Sequence, residues 1–249
     1  MKLDNIIAER INKKIYRDGN KCIKVFDESY SKADVLNEAL NHARVEETGL
    51  NIPELFEVTR INGKWAIVSQ YIEGSSLADL IAVDPNKYDE YLNLFVDLQL
   101  EIQSKRSPLL SQLKDKMNRK IELTELDDTT KYDLLTRLKS APDHNKLCHG
   151  DYNTSNIIIA TDGTPYVLDW AHATQGNASA DAARTYLLFC LGGNIAGADK
   201  YLDLFCKKSG TAKKYVQSWM PIVAASQSVK KNCKDKEILL RWVNVVDYE

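Results

Sequence analysis

The stretch "HGDYNTSNIIIATDGTPYVLDW", residues 149 to 170, decides the fold of this chain. It contains two apolar runs, Ile157–Ile159 and Tyr166–Leu168, which are separated by the sequence "TDGT". Asp-Gly is a strong hairpin signal, because both central positions of a two-residue type I′ turn need a positive φ. The stretch therefore predicts a β-hairpin that has a polar cluster before its first strand and an aspartate after its second.

The predicted turn fixes the register of this hairpin. With Asp162 and Gly163 at the centre of the turn, Asn156 faces Asp169 across the two strands. Directly opposed side chains on one face lie about 5 Å apart at their Cβ atoms. An amide oxygen and a carboxylate at that separation can bind one small hard cation, which prefers oxygen ligands.

Asp151 lies five residues before Asn156, in the loop that enters the hairpin. A carboxylate there can accept a proton from a bound alcohol while the cation holds a phosphate nearby. Taken singly, Asp151, Asn153 and Asn156 are ordinary turn residues. Their combined spacing, with Asp169 after the hairpin, favours a catalytic site over a simple turn.

The composition is that of a soluble globular protein. The chain has 249 residues, 44% of them hydrophobic and 27% charged, and its formal net charge is −2. This charge gives no general attraction to nucleic acid or to an anionic membrane. The charged N-terminus "MKLDNIIAERINKK" is unlike a secretory signal, and no apolar run reaches membrane-spanning length, so we expect a cytoplasmic protein.

Cysteines and histidines are few and scattered. No cysteine pair has CxxC spacing, so we expect reduced thiols, and no histidine pair has HxxxH spacing, which disfavours a histidine-built metal site. The five cysteines are Cys22, Cys148, Cys190, Cys206 and Cys233.

Residues 1–72 alternate in the manner of strands around one helical segment. Turn signals at Asp18-Gly19 and Asn62-Gly63 join pairs of strands, and apolar residues at helical spacing run from Val35 to Ala43. The order β-β-α-β-β predicts an antiparallel sheet with one helix packed on it. The sequence "EGSS" (73–76) is the best candidate for a linker.

Beyond the linker the pattern is mainly helical. Tyr91, Phe95, Leu98 and Ile102 form one apolar stripe, and further helical segments follow on both sides of the hairpin. The sequence therefore predicts an α+β fold with two parts. Residues 1–72 are expected to form a small β-rich lobe, and residues 73–249 a larger, mainly helical lobe.

The motif "HGDYNTSN", followed by the hairpin and "VLDW", resembles the aminoglycoside phosphotransferase/choline kinase family. That family is a small-molecule branch of the bilobal protein-kinase-like fold, in which HxDxxxxN replaces the HRDxxxxN catalytic loop. The resemblance implies transfer of the γ-phosphate of ATP to a hydroxyl of a small acceptor. It implies that Asp151 orients or deprotonates the hydroxyl, and that Asn156 and Asp169 hold Mg²⁺ on the nucleotide phosphates.

The resemblance also implies a nucleotide site in the first 72 residues. Lys24 matches the strand lysine that contacts the α- and β-phosphates, and Glu38 is its expected partner, with Glu46 and Glu47 as poorer candidates near the end of the helix. Backbone groups of the adenine-binding hinge are expected at Gln70, Tyr71 and Ile72.

Three further residues receive supporting roles from the same resemblance. His149 is expected to brace the loop, and Asp181 to accept hydrogen bonds from it. Arg184, three residues after Asp181 on one helix face, is expected to form an ion pair with Asp181 or to line the cleft.

The sequence departs from the kinase pattern at two places. It has no GxGxxG loop, and the connection "NKK" (Asn12–Lys14) would offer backbone amides and lysine charge to the phosphates instead. "DWAHA" replaces a DFG segment, so regulation by an activation loop is not expected.

The residues leave several alternatives open. The acceptor is aminoglycoside-, choline- or sugar-like, and GTP is possible in place of ATP. Trp170, Trp219 and Tyr215 either pack over an acceptor or belong to the core. An excess of lysines after Thr185 disfavours a polycationic aminoglycoside; these are Lys207, Lys208, Lys213, Lys214, Lys230, Lys231, Lys234 and Lys236.

Two other functions compete with the small-molecule kinase. The glycine-poor phosphate loop would suit a kinase-like nucleotide-binding module with weak or absent turnover. A protein kinase is disfavoured because no APE-like segment follows Asp169.

Overall fold

The computed structural model describes residues 1–10, 12–229 and 235–243. Within these ranges the fold is α+β. The strands are β1 Ile6–Arg10, β2 Lys13–Asp18, β3 Lys21–Phe26, β4 Leu55–Ile61, β5 Lys64–Gln70, β6 Gly74–Ser76, β7 Lys146–Cys148, β8 Ile157–Ala160, β9 Pro165–Val167 and β10 Thr174–Gly176. The helices are α1 Lys32–Glu46, α2 Leu77–Val83, α3 Tyr88–Ser104, α4 Leu113–Glu122, α5 Asp128–Ser140, α6 Ala178–Leu191, α7 Ile195–Ser209, α8 Lys213–Ser218, α9 Met220–Ser228 and α10 Lys236–Val243.

The chain divides into two compact units. Unit 1 comprises Met1–Asn86 and Thr154–Ala173, and unit 2 comprises Lys87–Asn153 and Thr174–Glu249. The hairpin that follows the motif "HGDYNTSN" therefore belongs to unit 1, whereas Asp151 belongs to unit 2. The lobe boundary that the sequence suggests at residue 73 stays a prediction.

Unit 1 contains an antiparallel sheet with one helix packed on it, as the sequence predicts, but three strands precede the helix where the β-β-α-β-β order predicted two. The five strands are arranged in the order β1-β2-β3-β5-β4, with every neighbouring pair antiparallel. Helix α1 begins after Ser31, whose side chain accepts a hydrogen bond from the Asp34 N–H and so satisfies one free donor of the first turn.

The two faces of this sheet are packed separately, because side chains along a strand alternate between faces. Ile23 and Val25 of β3 pack with Ala66 and Val68 of β5 on one face. On the other face, Phe26 of β3 and Ile67 of β5 pack against α1 through two buried residues, Val35 and Ala39. Lys24 is therefore on the face that carries the helix.

The hairpin β8–β9 is present, but the predicted register is wrong by one residue. Ile157 pairs with Val167 and Ile159 with Pro165, and the Leu168 N–H donates to the Asn156 carbonyl at 2.8 Å. Asn156 is thus opposite Leu168 and not opposite Asp169.

The turn chemistry explains this shift. The Gly163 N–H donates to the Ala160 carbonyl at 2.8 Å, and Gly163 has a φ of +86°. Among the described non-glycine residues, only Asn62 and Asp169 have a positive φ, so Asp162 does not take the conformation that a type I′ turn needs. The connection is the three-residue loop Thr161–Asp162–Gly163, in which only the glycine is left-handed.

The segment predicted as a linker contains strand β6. Gly74–Ser76 pairs antiparallel with β8, so that this second sheet has the order β6-β8-β9. A Cβ atom on Gly74 would lie 2.1 Å from the backbone oxygen of Ile159, which explains the need for glycine at this position.

Unit 2 is mainly helical, with β7 and β10 paired antiparallel. Phe95, Leu98 and Ile102 of α3 are buried, as their spacing predicts. Trp219 of unit 2 is 2% exposed and Trp170 of unit 1 is 1% exposed, so both belong to the core of their unit. No helix in the part of the chain that the structure describes has both the length and the apolar character needed to cross a membrane.

Candidate active site

A charged cluster lies in unit 1 on the helix-bearing face of the sheet. The Lys24 Nζ is 2.5 Å from Oε1 of Glu38 and 3.3 Å from Oδ1 of Asp169. The side chains of Lys24 and Glu38 are 17% and 11% exposed, and that of Asp169 is 31% exposed. The pairing that the sequence predicted between Lys24 and Glu38 is present.

Strand and helix periodicity bring these two side chains together. Lys24 shares its face with Phe26, two residues further along β3, and that face packs against α1. Glu38 lies within one turn of Val35 and next to Ala39, the residues by which α1 contacts the sheet. A long cation on the strand and a carboxylate on the helix therefore meet beside an apolar contact.

Lys24 is held in its charged form. Burial favours the neutral amine, but the carboxylates of Asp169 and Glu38 outweigh this effect and raise the Lys24 pKa above its usual value of 10.5. A buried, fully charged ammonium group is suited to binding a polyanion such as a nucleotide phosphate.

Asp169 has an unusual backbone conformation at the end of the hairpin. Its φ of 60° and ψ of 63° are left-handed, and the 3-10 turn Trp170–His172 follows it. The Trp170 indole N–H donates to the Val167 carbonyl at 3.0 Å, and Asn41 of α1 donates to the Ala171 carbonyl at 3.1 Å. These contacts fix the strained residue, which costs about 1–3 kcal/mol in general.

A second lysine contacts Asp169. The Nζ of Lys13, the first residue of β2, lies 3.6 Å from Oδ2 of Asp169, and the Lys13 side chain is 17% exposed. Lys13 belongs to the segment "NKK", for which the sequence predicts a contribution of lysine charge to phosphates. Its contact with Asp169 has no signal in the sequence, because it joins residues far apart in the chain.

Asn156 and Asp169 offer the oxygen ligands that Mg²⁺ prefers. Asn156 ends the 3-10 turn Thr154–Asn156, and its carbonyl binds the residue directly before Asp169. Within the described ranges, no three His, Cys, Asp or Glu side chains are grouped to share a metal ion. One carboxylate oxygen and one amide oxygen are ligand types that Mg²⁺ accepts alongside water and phosphate.

The predicted hinge residues follow β5 in unit 1. The Gln70 N–H donates to the Glu54 carbonyl at 2.8 Å, and the Tyr71 N–H donates to the Asn20 carbonyl at 2.7 Å. The N–H of Ile72 has no hydrogen-bond acceptor within the described part of the chain. Of the three residues predicted for the hinge, Ile72 therefore keeps its N–H as a donor for another group.

The loop that carries Asp151 is fixed in unit 2 by a buried aspartate. Asp181, 3% exposed, accepts hydrogen bonds from the Gly150 N–H at 2.8 Å and from the His149 N–H at 3.3 Å. The role predicted for Asp181 is confirmed. The buried His149 ring accepts the Asp151 N–H on Nδ1 at 3.2 Å, which is the bracing role expected for it.

The residue after Asp151 anchors the loop to the helices. The Tyr152 hydroxyl donates to the Phe95 carbonyl at 2.7 Å, and the Thr185 hydroxyl donates to the Tyr152 carbonyl at 3.3 Å. Gln99 and Tyr201 extend this buried network, since Gln99 donates to Thr185 and accepts from Tyr201. Asp151 therefore lies between Gly150 and Tyr152, and hydrogen bonds fix the positions of both.

Arg184 of α6 contacts Asp151 itself. Its Nη2 lies 3.3 Å from Oδ1 of Asp151, and the two side chains are 8% and 29% exposed. The sequence placed Arg184 near Asp181 through their spacing on one helix. It gave no signal for the contact with Asp151, which depends on how the loop returns to the helix.

Most of the described lysines after Thr185 form ion pairs. The structure pairs Lys200 with Asp89, Lys208 with Asp97, Lys213 with Asp203 and Lys236 with Glu125. The excess of lysine over acid is therefore a weaker argument about the acceptor than the sequence suggested. Lys230, Lys231, Cys233 and Lys234 lie outside the described residues, while Cys22, Cys148, Cys190 and Cys206 are free thiols.

The family model described as "phosphotransferase enzyme family" matches residues 8–215 of the chain. This match covers most of the sequence, including both of the polar clusters described above. The chain belongs to this phosphotransferase family, and the class of protein is a small-molecule kinase. A search among curated proteins finds no match.

Solved structures of two kinds of small-molecule kinase have the same fold. One is a thermostable mutant of aminoglycoside phosphotransferase APH(4)-Ia in a ternary complex with AMP-PNP and hygromycin B. Its sequence is 15% identical to this chain and the TM-score is 0.70; the alignment covers 95% of this chain and 90% of the APH(4)-Ia chain. Choline kinase LicA from Streptococcus pneumoniae is 14% identical with a TM-score of 0.67, covering 98% and 92%. The ADP-bound aminoglycoside phosphotransferase APH(2'')-Ib is 16% identical with a TM-score of 0.63, covering 96% and 90%. These likenesses show the fold.

Proposed function

We propose that this phosphotransferase moves the γ-phosphate of ATP to a hydroxyl group of a small molecule. The observation that carries the proposal is the set Lys24, Glu38 and Asp169, in which one largely buried ammonium group contacts two carboxylates. A charged, buried lysine fixed in this way serves phosphate binding better than it serves stability, because burying ions is costly.

Nucleotide binding rests on groups of unit 1. Lys24, held by Glu38, would contact the α- and β-phosphates, and Lys13 would add a second ammonium group in place of a glycine-rich loop. The Ile72 N–H would donate to the base. Backbone recognition of this kind suits ATP and leaves GTP as the alternative nucleotide.

Asn156 and Asp169 would hold Mg²⁺ on the phosphates. The bound ion supplies neutralisation of the charge that develops on the transferred group. The cytoplasmic location expected from the sequence is part of this proposal, since ATP and Mg²⁺ are abundant there.

Asp151 would orient the acceptor hydroxyl and take its proton. In the transfer the hydroxyl oxygen forms a bond to the γ-phosphorus, and the bond between that phosphorus and the β–γ bridging oxygen breaks. ADP leaves with the electron pair of the broken bond, and the proton of the hydroxyl passes to the Asp151 carboxylate. The hydrogen bonds to His149, Gly150 and Tyr152 keep this carboxylate in place.

The proposal is tested by measuring ADP release from Mg-ATP with a panel of small alcohols, sugars and amino alcohols. We expect turnover with at least one class of acceptor and its loss in Lys24→Met. Lys200→Met is the matched control, because it removes an exposed lysine paired with Asp89 in unit 2. If the protein binds Mg-ATP but transfers phosphate neither to any acceptor nor to water, the result would favour a nucleotide-binding module and contradict the proposal.

A further inference from the structure

Arg17 of strand β2 contacts the short segment, residues 71–73, that joins the two sheets of unit 1. Its guanidinium carbon lies 4.1 Å from the centre of the Tyr71 ring. Its Nη1 donates to Oε1 of Glu73 at 3.3 Å, and its Nη2 donates to Oε2 of the same carboxylate. One side chain of the five-stranded sheet therefore contacts both neighbours of Ile72.

The backbone of this joining segment is held at both ends. The Tyr71 N–H donates to the Asn20 carbonyl, in the turn between β2 and β3, at 2.7 Å. The Glu73 carbonyl accepts the Thr161 N–H, in hairpin β8–β9, at 3.2 Å. Arg17 and these hydrogen bonds fix the residues on either side of Ile72, while the Ile72 N–H keeps its donor capacity for another group.

The geometry of Arg17 differs from that of an ordinary surface ion pair. Exposed pairs contribute little, because water screens the charges and two long side chains must be ordered. Arg17 makes a two-point contact with one carboxylate and lies over an aromatic ring, and its Nε donates to the Gly19 carbonyl at 3.2 Å. Lysine cannot reproduce this arrangement, because it lacks the planar fork of donors. The Arg17 and Glu73 side chains are 33% and 60% exposed, so we expect a measurable effect of modest size.

We propose that Arg17 is a positioning residue for the nucleotide base. It orders residues 71–73 before the nucleotide binds, so that the Ile72 N–H meets the base without the added cost of ordering the segment on binding. This inference rests on the proposed function and adds to it a residue that acts on the base. Arg17 does not act on the phosphates, since within the described residues its guanidinium donates to Gly19 and Glu73.

The test compares the binding of Mg-ATP with that of magnesium tripolyphosphate, which carries phosphates without a base, by isothermal titration calorimetry. Arg17→Met should weaken Mg-ATP binding by about three- to tenfold and change tripolyphosphate binding by less than about twofold. In turnover, the KM for ATP should rise by the same factor while kcat stays within about twofold. Arg17→Lys keeps the charge but loses the fork, so it should resemble Arg17→Met.

Arg60→Met is the matched control. Arg60 is another exposed arginine of unit 1 whose guanidinium lies over an aromatic ring, 4.8 Å from the centre of Trp65, and its loss should leave both affinities unchanged. Glu73→Ala removes the partner of Arg17 and should also weaken Mg-ATP binding selectively. The double variant should be no weaker than Arg17→Met, because both changes remove one interaction. If Arg17→Met does not fold, Glu73→Ala decides by the same comparison.

The outcomes separate this inference from the proposed function. An unchanged affinity for Mg-ATP in a folded Arg17→Met would overturn the inference and leave the kinase activity of the unaltered chain standing. An equal loss of affinity for Mg-ATP and tripolyphosphate that Arg17→Lys restores would also overturn it, because the arginine would then act as a charge on the phosphates. If the unaltered chain binds neither ligand, the proposed function and this inference are overturned together.

Discussion

Asp169 combines an uncommon backbone conformation with contacts to two lysines. A left-handed φ at a residue other than glycine persists only where its surroundings enforce it, and such residues cluster at functional sites. At Asp169 the enforcing contacts come from Trp170 and from Asn41 of α1, which bind the backbone on either side of it. The strain places its carboxylate within 3.3 Å of Lys24 and 3.6 Å of Lys13.

Two substitutions at Asp169 separate the backbone effect from the chemical effect. Asparagine adopts the left-handed region more readily than alanine, which pays about 1–2 kcal/mol there. Asp169→Asn and Asp169→Ala should both lower kcat by roughly 100-fold or more, since each removes the carboxylate proposed to bind Mg²⁺. Asp169→Ala should in addition be less stable than Asp169→Asn by about 1 kcal/mol in urea unfolding.

Asp169→Asn and Asp169→Ala serve as controls for each other, because both lack the carboxylate and they differ in how readily they adopt the left-handed conformation. Equal stability would show that the left-handed conformation is not maintained in solution. Activity in Asp169→Asn near that of the unaltered chain would contradict the role proposed for the carboxylate.

The buried thiol of Cys190 predicts how stability changes at alkaline pH. Burial raises the pKa of this thiol from 9.0 to about 11. The unfolded chain therefore loses the thiol proton at lower pH than the folded chain, and the free energy of unfolding falls between pH 9 and about 11. Below pH 9 the group stays protonated in both states and has no such effect.

In Cys190→Ala, the free energy of unfolding should fall by about 1 kcal/mol less over this alkaline pH range than in the unaltered chain. The measurement is the free energy of unfolding in urea at several pH values from neutral to alkaline, for both proteins. An identical decline in Cys190→Ala would mean that the thiol titrates at its ordinary pKa in the folded chain.

Among single residues, the pairing of Lys24 with Glu38 was expected from the family resemblance, and local periodicity explains why the two side chains meet. Lys24 and Glu38 meet because a strand alternates with period two and the following helix presents one face to it. The contacts of Lys13 with Asp169 and of Arg184 with Asp151 join residues from separate segments. They depend on where each segment returns in space, which no local pattern encodes.

The second sheet of unit 1 depends on the close approach of Gly74 in β6 to β8. A Cβ atom at residue 74 would lie 2.1 Å from the Ile159 oxygen and 2.9 Å from the Ala160 Cα, both of which are backbone atoms. Neither can move aside as the end of a flexible side chain can. The short strand β6 therefore tolerates only glycine at its first residue.

Gly74→Ala should destabilise unit 1 by about 1–3 kcal/mol, the usual cost of overpacking. Ser75→Ala is the matched control, because Ser75 is an exposed neighbour in the same strand and should change stability by less than about 0.5 kcal/mol. The free energy of unfolding and the hydrogen-exchange protection of the β8 amides provide the readout. Equal stability of the two variants would contradict the pairing of β6 with β8.

The hairpin β8–β9 shows where prediction from turn residues stops. Asp-Gly occurs both in two-residue turns, where both residues need a positive φ, and in three-residue loops, where only the glycine does. The sequence "TDGT" satisfies both, and the choice between them moves the register by one residue. The prediction of a hairpin was confirmed, whereas the prediction that Asn156 faces Asp169 was wrong.

The two compact units differ in how far the sequence determines them. The antiparallel sheet and single helix of unit 1 and the helical character of unit 2 follow from patterns that are strong in the sequence, because each element buries one regular face. Strand β6 was missed, since three residues with an obligate glycine look like a flexible linker. Hairpin β8–β9 lies in compact unit 1, and this grouping depends on contacts between distant segments that no local pattern encodes.

The family match and the two polar clusters lead to one central claim, that the chain transfers the γ-phosphate of ATP to a hydroxyl and that Asp151 handles the proton. The most direct test is phosphorus NMR of the reaction between Mg-ATP and the best acceptor, recorded for the unaltered chain and for Asp151→Asn. We predict a new phosphoester signal with the unaltered chain and a rate at least about 100-fold lower with Asp151→Asn, while both proteins bind Mg-AMP-PNP equally. Phosphoester formation at an undiminished rate in Asp151→Asn would contradict the account.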